Sequence, residues 1–312
     1  MKKRRPKIVV VGSINMDLVL SCERLPRPGE TLAARQCSEV SGGKGANQAV
    51  AASRMGGEVT LIGRVGDDVF GPQLIKRLQE SNIATEHVQV CQSTSSGIAL
   101  VMVESSGQNS IVIVPGANGR MTREDIRAVA EQIRSADMLV VQLEIPIDAI
   151  EEACRIAKES KVPVLLNPAP APAMLPANLY DVDMICPNQT EAERLTGLAV
   201  NSGESAKCAA ALLLDRGASQ VVITLGKEGA CIGKRSEKEY QFELVPSIVV
   251  EPIDTTAAGD AFIGALAVYL CEQQELLQAC RMACVAGAVA TTQWGAQTSL
   301  PWRAEVEAKA RE

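Results

Sequence analysis

Residues 254–264 read Asp-Thr-Thr-Ala-Ala-Gly-Asp-Ala-Phe-Ile-Gly, and they predict the point at which an apolar stretch turns into a helix. Small residues at a helix start leave backbone N–H groups free, and the positive end of the helix dipole faces the same point. Asp260 stands beside this predicted anion hole, where a carboxylate cannot bind phosphate because like charges repel. Its position is typical of a base that takes a proton from a hydroxyl group attacking a phosphoryl group. The segment therefore predicts a kinase site.

The composition is that of a globular protein with a substantial core. The chain has 312 residues, of which 46% are hydrophobic and 22% are charged. Its net charge of −6 gives little support to phosphate-backbone binding, so we expect no nucleic-acid partner. No stretch approaches the roughly 18 apolar residues of a membrane helix, and no signal peptide precedes the first predicted strand. Ten cysteines without a C-x-x-C pair favour reduced thiols in a cytoplasmic protein.

Apolar runs alternate with helical patterns over most of the chain. Continuous apolar strands separated by helices indicate an α/β fold with a parallel sheet that is covered on both faces. The predicted strands are Ile8–Val11, Thr60–Arg64, Met138–Leu143, Pro163–Leu166, Asp183–Cys186 and Gln220–Leu225. The predicted helices are Ala46–Met55, Pro72–Gln79, Arg123–Arg134, Asp148–Glu159, Glu191–Leu195 and Glu204–Arg216, with two more between Ala257 and about Thr292.

Two regions, at about residues 15–41 and 96–116, break this alternation because they predict strands with no helix between them. The predicted pairs are Asp17–Cys22 with Thr31–Val40 and Gly97–Val103 with Ser110–Val114, with turns at Pro26–Gly29 and Ser105–Gln108. We expect them to form a small second sheet that acts as a lid over the carboxyl-end edge of the main sheet. An apolar face on such a sheet predicts a partner subunit.

Polar residues follow the predicted strands at the edge where open parallel sheets bind ligands. Asn15 and Asp17 offer an amide and a carboxylate to vicinal sugar hydroxyls, although both fit equally well as turn residues. Glu144 ends a buried strand, where sugar hydroxyls would serve as its partner; an ordinary strand-end carboxylate is the alternative. The first turn has no G-x-G-x-x-G, which argues against a dinucleotide enzyme.

Three further segments place glycines or caps at strand ends. Residues 41–48 read Ser-Gly-Gly-Lys-Gly-Ala-Asn-Gln, in which glycines admit a ligand to the backbone and Lys44 and Asn47 supply donors, unless the turn merely starts a helix. Asn188 and Glu191 have capping-box spacing, which we favour over a magnesium–phosphate site on spacing alone. Residues 224–229 read Thr-Leu-Gly-Lys-Glu-Gly and predict a tight hairpin turn able to contact nucleotide phosphates.

Together these motifs resemble the ribokinase-like (pfkB) carbohydrate kinase family. Residues 42–52 and 254–262 match its two signatures, and residues 12–17, the Asn188-x-x-Glu191 element and residues 295–302 match as well. The resemblance covers about residues 7–302. It implies a three-layer sandwich with a mostly parallel central sheet and a small β-sheet lid, in one domain over residues 1–312.

The resemblance also implies an activity, ATP-dependent phosphorylation of D-ribose at O5. Asp260 would be the base, and the N–H groups of Ala257, Ala258 and Gly259 would form the anion hole. The residues implied to hold the sugar are Asn15, Met16, Asp17, Gly43, Lys44, Gly45, Ala46, Asn47, Glu144 and Asp260. Those implied to contact ATP are Asn188, Thr224, Leu225, Gly226, Lys227, Glu228, Gly229, Gly259, Asp260 and Cys284.

Two cations and a homodimer through the lid are further implications of the resemblance. Glu191 would belong to the Mg²⁺ and phosphate network. An activating K⁺ would lie at Asp254, Thr256, Ala290, Gln293, Gly295 and Ser299, at several of them through backbone carbonyls. The sequence departs from the family at Gln293, where relatives often carry a basic residue, and at Cys284, where some relatives place Asn or His beside the adenine.

Two other functions stay open at this point. A kinase for deoxyribose, another sugar or a nucleoside differs by details as small as one hydroxyl group, which the sequence does not reveal. A non-catalytic sugar-binding regulator is a remote alternative, against which the presence of Asp260 argues.

Overall fold

A computed structural model describes residues 4–104, 109–236, 239–272 and 274–312. The predicted turn at Ser105–Gln108 lies outside the described residues. In chain order the strands are β1 (Lys7–Val11), β2 (Asn15–Cys22), β3 (Gln36–Gly42), β4 (Glu58–Gly66), β5 (Ile83–Ala84), β6 (Val88–Cys91), β7 (Gly97–Glu104), β8 (Asn109–Val114), β9 (Met138–Val141), β10 (Val164–Leu166), β11 (Met184–Ile185), β12 (Gln220–Thr224), β13 (Ala230–Arg235) and β14 (Tyr240–Val245). The helices are α1 (Lys44–Arg54), α2 (Phe70–Glu80), α3 (Arg123–Ala128), α4 (Ala130–Arg134), α5 (Ile147–Glu159), α6 (Gln189–Thr196), α7 (Gly203–Asp215), α8 (Ala258–Cys271), α9 (Leu276–Ala290) and α10 (Arg303–Lys309).

The central sheet has the strand order β14-β13-β12-β11-β10-β9-β1-β4-β5, with β6 also paired to β4. Pairing is parallel from β12 across to β5 and antiparallel for β13 and β14. The expected parallel sheet is therefore confirmed. The edge strand β14 was not predicted, because it largely alternates half-buried and exposed residues and has no continuous apolar run.

Side-chain alternation along β1 shows why the sheet is covered on both faces. Ile8 and Val10 are buried in one apolar cluster with residues of α1, α8 and α9. Val9 and Val11 are buried in a second cluster with residues of α5 and α7. A strand that is apolar at every position can bury both of its faces only between two helical layers. The three-layer sandwich follows from this pattern.

Two predicted elements have different bounds in the structure. The helix predicted over Arg123–Arg134 is divided at Val129, whose φ of −113° is not helical, and its first part begins with a capping box at Thr122. The strand predicted over Thr31–Val40 is wrong at its start, because β3 begins at Gln36. Its partner strand β2 ends at Cys22, and the last bond to it comes from Arg35 N, which donates to Ser21 O at 2.7 Å, so residues 31–34 have no strand to pair with.

The four remaining strands form a separate small sheet in the order β3-β2-β7-β8. Strands β2 and β7 are parallel, and each carries an antiparallel partner on its outer side. The predicted second sheet is confirmed. Its edge strand β8 exposes four apolar residues, Ile111, Val112, Ile113 and Val114, at 46–55% of their surface.

Helices α1 and α8 approach each other at backbone distance, because a Cβ added to Gly264 would lie 2.5 Å from Ala51 Cβ and 2.7 Å from Ala52 N. Glycine at position 264 therefore lets the two signature segments meet. Within the described residues no helix combines the length and apolar character that a membrane crossing demands.

Candidate active site

Asp260 lies in the first turn of α8 and is 6% exposed. Its Oδ2 accepts a hydrogen bond from Asn47 Nδ2 at 2.9 Å, and its Oδ1 accepts one from Gln48 Nε2 at 2.9 Å. Both donors belong to α1, more than 200 residues away in the chain. The structure thus brings the two signature segments together at one carboxylate.

The backbone turns sharply just before Asp260, because Ala257 adopts a left-handed conformation with φ of 59°. The N–H of Ala258 donates to Thr255 O at 3.3 Å. Within the described residues the N–H groups of Ala257 and Gly259 have no backbone acceptor. Two of the three donors expected for the anion hole are therefore open at the positive end of α8, and the third is already occupied.

Four carboxylates surround Lys44 at this site, those of Asp260, Glu144, Glu191 and Asp17. Burial alone would lower the pKa of Lys44, but the four acids hold it above its ordinary value. Burial raises the pKa of Asp260, and Lys44 together with the two amide donors opposes that rise. The pKa of Asp17 is raised to about 7 by burial and by the nearby Glu144 and Asp260.

The sugar-side residues lie at the start of β2 and after β9. Asn15 Oδ1 accepts from Asn118 Nδ2 at 2.7 Å, and Asn118 Oδ1 accepts from Ile14 N at 2.9 Å. Asn118 was missed by the sequence analysis, although it stands in a glycine-flanked turn directly after β8. Asp17 packs against Gly42 and keeps its buried Oδ1 without a hydrogen-bond partner.

Two predicted sugar-site side chains lie elsewhere. Met16 is 0% exposed and Ala46 is 1% exposed, and both belong to the apolar core on the helical side. Met16 points away because side chains alternate along a strand and Asp17 takes the opposite face. Neither side chain is therefore available to a ligand.

Glu144 joins two loops of the site. Its Oε2 accepts from Ser13 Oγ at 2.5 Å and from Lys44 N at 3.0 Å. Gly43 has φ of 87°, and a Cβ there would lie 2.7 Å from Asn15 N. The glycine is therefore required by the close contact of the two loops. A cleft of about 360 Å³ opens beside Asn15, Asn118 and Glu144, with Ile113 of β8 on its wall.

A second cleft of about 180 Å³ opens at Asp260 itself. Its lining consists of Lys44, Asn167, Ala169, Cys186, Asn188, Glu191, Thr224, Thr255, Ala257, Gly259, Asp260 and Ile263. Asn188 and Glu191 form the expected capping box of α6, with Glu191 Oε2 accepting from Asn188 N at 2.9 Å. Burial raises the pKa of Glu191, against the effect of that N–H and of Lys44.

The expected hairpin turn after β12 is confirmed, because Leu225 N donates to Gly229 O at 2.7 Å. Gly229 has φ of 98°, and a Cβ there would lie 1.9 Å from Val245 O, so the fold itself demands glycine. Gly226, Lys227 and Glu228 are exposed in this turn. Cys284 is not among the residues that line the cleft; it is 5% exposed and packs in the core beside the Cys280 thiol.

Asp254 connects the loop before α8 to the loop after α9. Its Oδ1 accepts from Thr256 N at 2.9 Å and from Thr256 Oγ1 at 2.6 Å, and its Oδ2 accepts from Gly295 N at 2.9 Å. Ser299 is 1% exposed and donates its hydroxyl to Ala296 O at 2.9 Å. Within the described residues the carbonyls of Ala290, Gln293 and Gly295 accept no hydrogen bond.

Residues 5–303 match the pfkB family carbohydrate kinases. The chain belongs to that family. It is 39% identical to the ribokinase of Haemophilus influenzae, with 96% of this chain and 97% of that protein covered, and 40% identical to the mouse ribokinase, with 96% and 93% covered. A deoxyribokinase of Salmonella typhi is 37% identical over 94% of this chain and 95% of its own length.

The structural comparison agrees with the family assignment. Arabidopsis thaliana ribokinase in complex with ribose and ATP superposes with a TM-score of 0.89 at 32% identity, covering 99% of this chain and 100% of that one. The ribokinase of Thermotoga maritima gives a TM-score of 0.86 at 33% identity, with 98% and 99% covered. The α/β fold with a separate small sheet is therefore that of the pfkB carbohydrate kinases.

The unpartnered carboxylate of Asp17 should make the ligand-free protein less stable at neutral pH than at acid pH. The pKa of Asp17 is raised from 3.8 to about 7, so the folded state takes up a proton over this range and wild-type stability falls as the pH rises through it. We predict that Asp17→Asn has a free energy of unfolding about 1–3 kcal/mol higher than wild type at pH 8, with the difference shrinking towards pH 4. Urea unfolding at several pH values measures it.

Asp68→Asn is the matched control, with the opposite sign. Burial would raise the pKa of Asp68, but hydrogen bonds from Ser96 and from the N–H groups of Gly71 and Phe70 lower it. Its contribution to stability is therefore present above pH 4 and lost below, so Asp68→Asn should be less stable than wild type at pH 8. An Asp17→Asn protein no more stable than wild type at pH 8 would contradict the prediction.

Proposed function

We propose that the chain catalyses ATP-dependent phosphorylation of D-ribose at O5, giving D-ribose 5-phosphate. One observation carries the proposal: a buried carboxylate, Asp260, lines a cleft with Asn188, Glu191 and Thr224, and Lys44 of the same cleft donates its N–H to Glu144, which lines the other cleft with Asn15. The cleft at Asn15 suits a hydroxylated sugar and the cleft at Asp260 suits a nucleotide. The ribokinase relatives and the ribokinase structure with ribose and ATP support this assignment.

In this reaction Asp260 removes the proton from the sugar hydroxyl as its oxygen attacks the γ-phosphoryl group. The N–H groups of Ala257 and Gly259 and the α8 dipole stabilise the charge that develops on the transferring group. A Cβ added to Gly259 would meet no protein atom within 4 Å, so packing does not require glycine at this position. The absence of a side chain leaves open space for a ligand. The Lys44 ammonium adds a positive charge to the cleft that Asp260 lines.

Ribose is favoured over 2-deoxyribose by the acceptors on the sugar side. Asp17 Oδ1 and Asn47 Oδ1 are buried and lack hydrogen-bond partners. Sugar hydroxyl groups would supply the missing donors, and a sugar that lacks one hydroxyl would leave an acceptor unpaired. The deoxyribokinase relatives keep deoxyribose as the second candidate.

A Mg²⁺ ion bound together with ATP belongs to the same proposal. Glu191 lines the nucleotide cleft, and its carboxylate accepts one hydrogen bond from Asn188 N, so it can help to hold a hydrated Mg²⁺ with the ATP phosphates.

We also propose that residues 1–312 form one domain, in which the small sheet is the lid. Its cysteine usage favours the cytoplasm as the location of the protein.

Replacing the base should abolish most of the activity while leaving the sugar site intact. Asp260→Asn keeps the size of the side chain but cannot accept a proton, so we expect kcat to fall by roughly 10²–10⁴ with a modest change in ribose affinity. A coupled ADP-release assay measures kcat, and calorimetry measures ribose binding. Near-normal turnover in the variant would refute the assignment of the base.

The exposed Asp181→Asn variant is the matched control and should keep wild-type kcat. The same assay, run on the wild type with ribose, 2-deoxyribose, fructose and adenosine, ranks the candidate substrates by kcat/KM. Ribose should rank first. A higher kcat/KM for any other acceptor would replace ribose in the proposal.

The loop around Asp254 fits a monovalent cation. The three carbonyls of Ala290, Gln293 and Gly295 lack donors, and the negative end of the α9 dipole points at the same loop. Within the described residues no cluster of three or more His, Cys, Asp or Glu forms a metal centre, so the oxygen ligands would be carbonyls, hydroxyls and the Asp254 carboxylate. A bound K⁺ would supply positive charge and order to the loop before α8.

Activity should therefore depend on K⁺. We expect the rate to rise several-fold when K⁺ replaces Na⁺ at constant ionic strength, because the larger ion suits a ring of carbonyl oxygens. Asp254→Asn should need more K⁺ for half-maximal activation, since the charge that attracts the cation is lost. Equal rates in K⁺ and Na⁺ for the wild type would refute the cation site.

We also propose that two lids pack against each other in a homodimer. Ile111 and Val112 are adjacent on β8, so they face opposite sides of the small sheet, and both are more than half exposed. A second copy of this sheet would bury these apolar surfaces.

The variant Ile111→Lys/Val112→Lys puts a charge on each face of the lid edge and should convert the dimer to a monomer. Analytical ultracentrifugation at micromolar concentration measures the change. Val69→Lys alters an exposed apolar residue outside the lid and should stay dimeric. A monomeric wild type, or a double variant that remains dimeric, would contradict the proposal.

A further inference from the structure

A chain of three amide side chains lies behind the Asp260 carboxylate. Gln142 Nε2 donates to Gln48 Oε1 at 2.6 Å, and Gln48 Nε2 donates to Asp260 Oδ1 at 2.9 Å and to Asn167 Oδ1 at 3.0 Å. Gln48 and Gln142 are 0% exposed, and Asn167 is 9% exposed. Because Gln48 and Gln142 are shielded from water, each bond lost between them or to Asp260 would leave a buried polar group unpaired.

The ionised carboxylate determines the direction of every bond in this chain. A carboxylate only accepts hydrogen bonds, so Gln48 must turn its NH₂ group towards Asp260 and its oxygen towards Gln142. The second N–H of Gln48 then meets the oxygen of Asn167, whose own NH₂ donates to Cys186 O at 2.9 Å. The chain has one consistent orientation, and Asp260 is its final acceptor.

Each oxygen of the Asp260 carboxylate accepts a hydrogen bond from a different side chain. Asn47 donates to Oδ2 and Gln48 donates to Oδ1, and both come from the first turns of α1. Two donors on two oxygens fix the plane of the carboxylate and leave the remaining lone pairs for a substrate. Asn47 has an expected role in holding the sugar, whereas Gln48 lies behind the carboxylate and is not part of the lining of either cleft.

We infer that Gln48 is a positioning residue that holds the Asp260 carboxylate in the plane needed for proton transfer, with Gln142 and Asn167 holding Gln48; this rests on the proposed function. Three acids face Asp260 from other elements, Asp17 on β2, Glu144 after β9 and Glu191 on α6, and each favours the protonated carboxyl. Lys44 and the two amide donors oppose them. Gln48 therefore supports both the orientation and the ionised state of the base.

Gln48→Met tests the inference, since methionine matches the length of glutamine and has no N–H group. We expect kcat for ribose to fall by about 10–100-fold, because a small misplacement of a reacting group is costly, while the KM for ribose changes by less than about threefold. In the Asp260→Asn background the same substitution should cause no further loss of rate, since Gln48 acts through Asp260. A role in folding alone would not produce that non-additivity.

Gln79→Met is the matched control. Gln79 lies on α2, outside both clefts, and donates to Thr85 Oγ1 at 3.0 Å. This variant should keep wild-type kcat. Wild-type kcat in Gln48→Met, or the same fold-loss with and without Asp260, would overturn the inference. If Gln48→Met loses cooperative unfolding, Gln142→Met takes its place, with an expected loss in kcat of about 3–30-fold, and wild-type kcat in that variant overturns it. A wild type that phosphorylates no pentose overturns the proposed function itself, and this is seen before any variant is compared.

Discussion

The burial of one ionised carboxylate is the constraint on which the site depends. Asp260 loses its hydration shell inside the protein, and such a group is tolerated only with hydrogen bonds and opposite charge around it. Asn47 and Gln48 supply the hydrogen bonds and Lys44 supplies the charge, all from α1. The close backbone contact at Gly264 brings α1 within reach of Asp260. The environment of the carboxylate therefore depends on the packing of α1 against α8.

The same site contains more negative charge than is favourable for the stability of the folded protein. Asp17, Glu144, Glu191 and Asp260 face one lysine, and burial raises the pKa of three of these acids. Lys44 and the two amide donors offset part of their mutual repulsion, and hydroxyl donors or cations of a bound ligand would offset more. Sites that perform chemistry commonly show this conflict with stability. The ligand-free protein holds the carboxylates of the proposed site in an unfavourable arrangement that a bound substrate would relieve.

Local patterns in the sequence predicted the features that depend on neighbours in the chain. The continuous apolar run of β1 predicted a sheet with two helical layers, and the Asn188–Glu191 spacing predicted a capping box. Asn118 and Gln142 could not be found this way, because their partners Ile14 and Gln48 lie 104 and 94 residues away. The placement of Met16 in the sugar site ignored the two-residue period of a strand, which the sequence does contain. The roles proposed for the site residues remain predictions.

The small sheet is attached to the main one through the residues that would recognise the sugar. Asn15 and Asp17 lie at the start of β2, Gly42 ends β3, and Asn118 follows β8. A rigid-body swing of the proposed lid would turn about these strand ends and carry Asn15 and Asp17 with it. Movement of the small sheet as the proposed lid would therefore couple recognition of the acceptor to exclusion of water, and an open lid would leave no assembled site in which ATP could be hydrolysed wastefully.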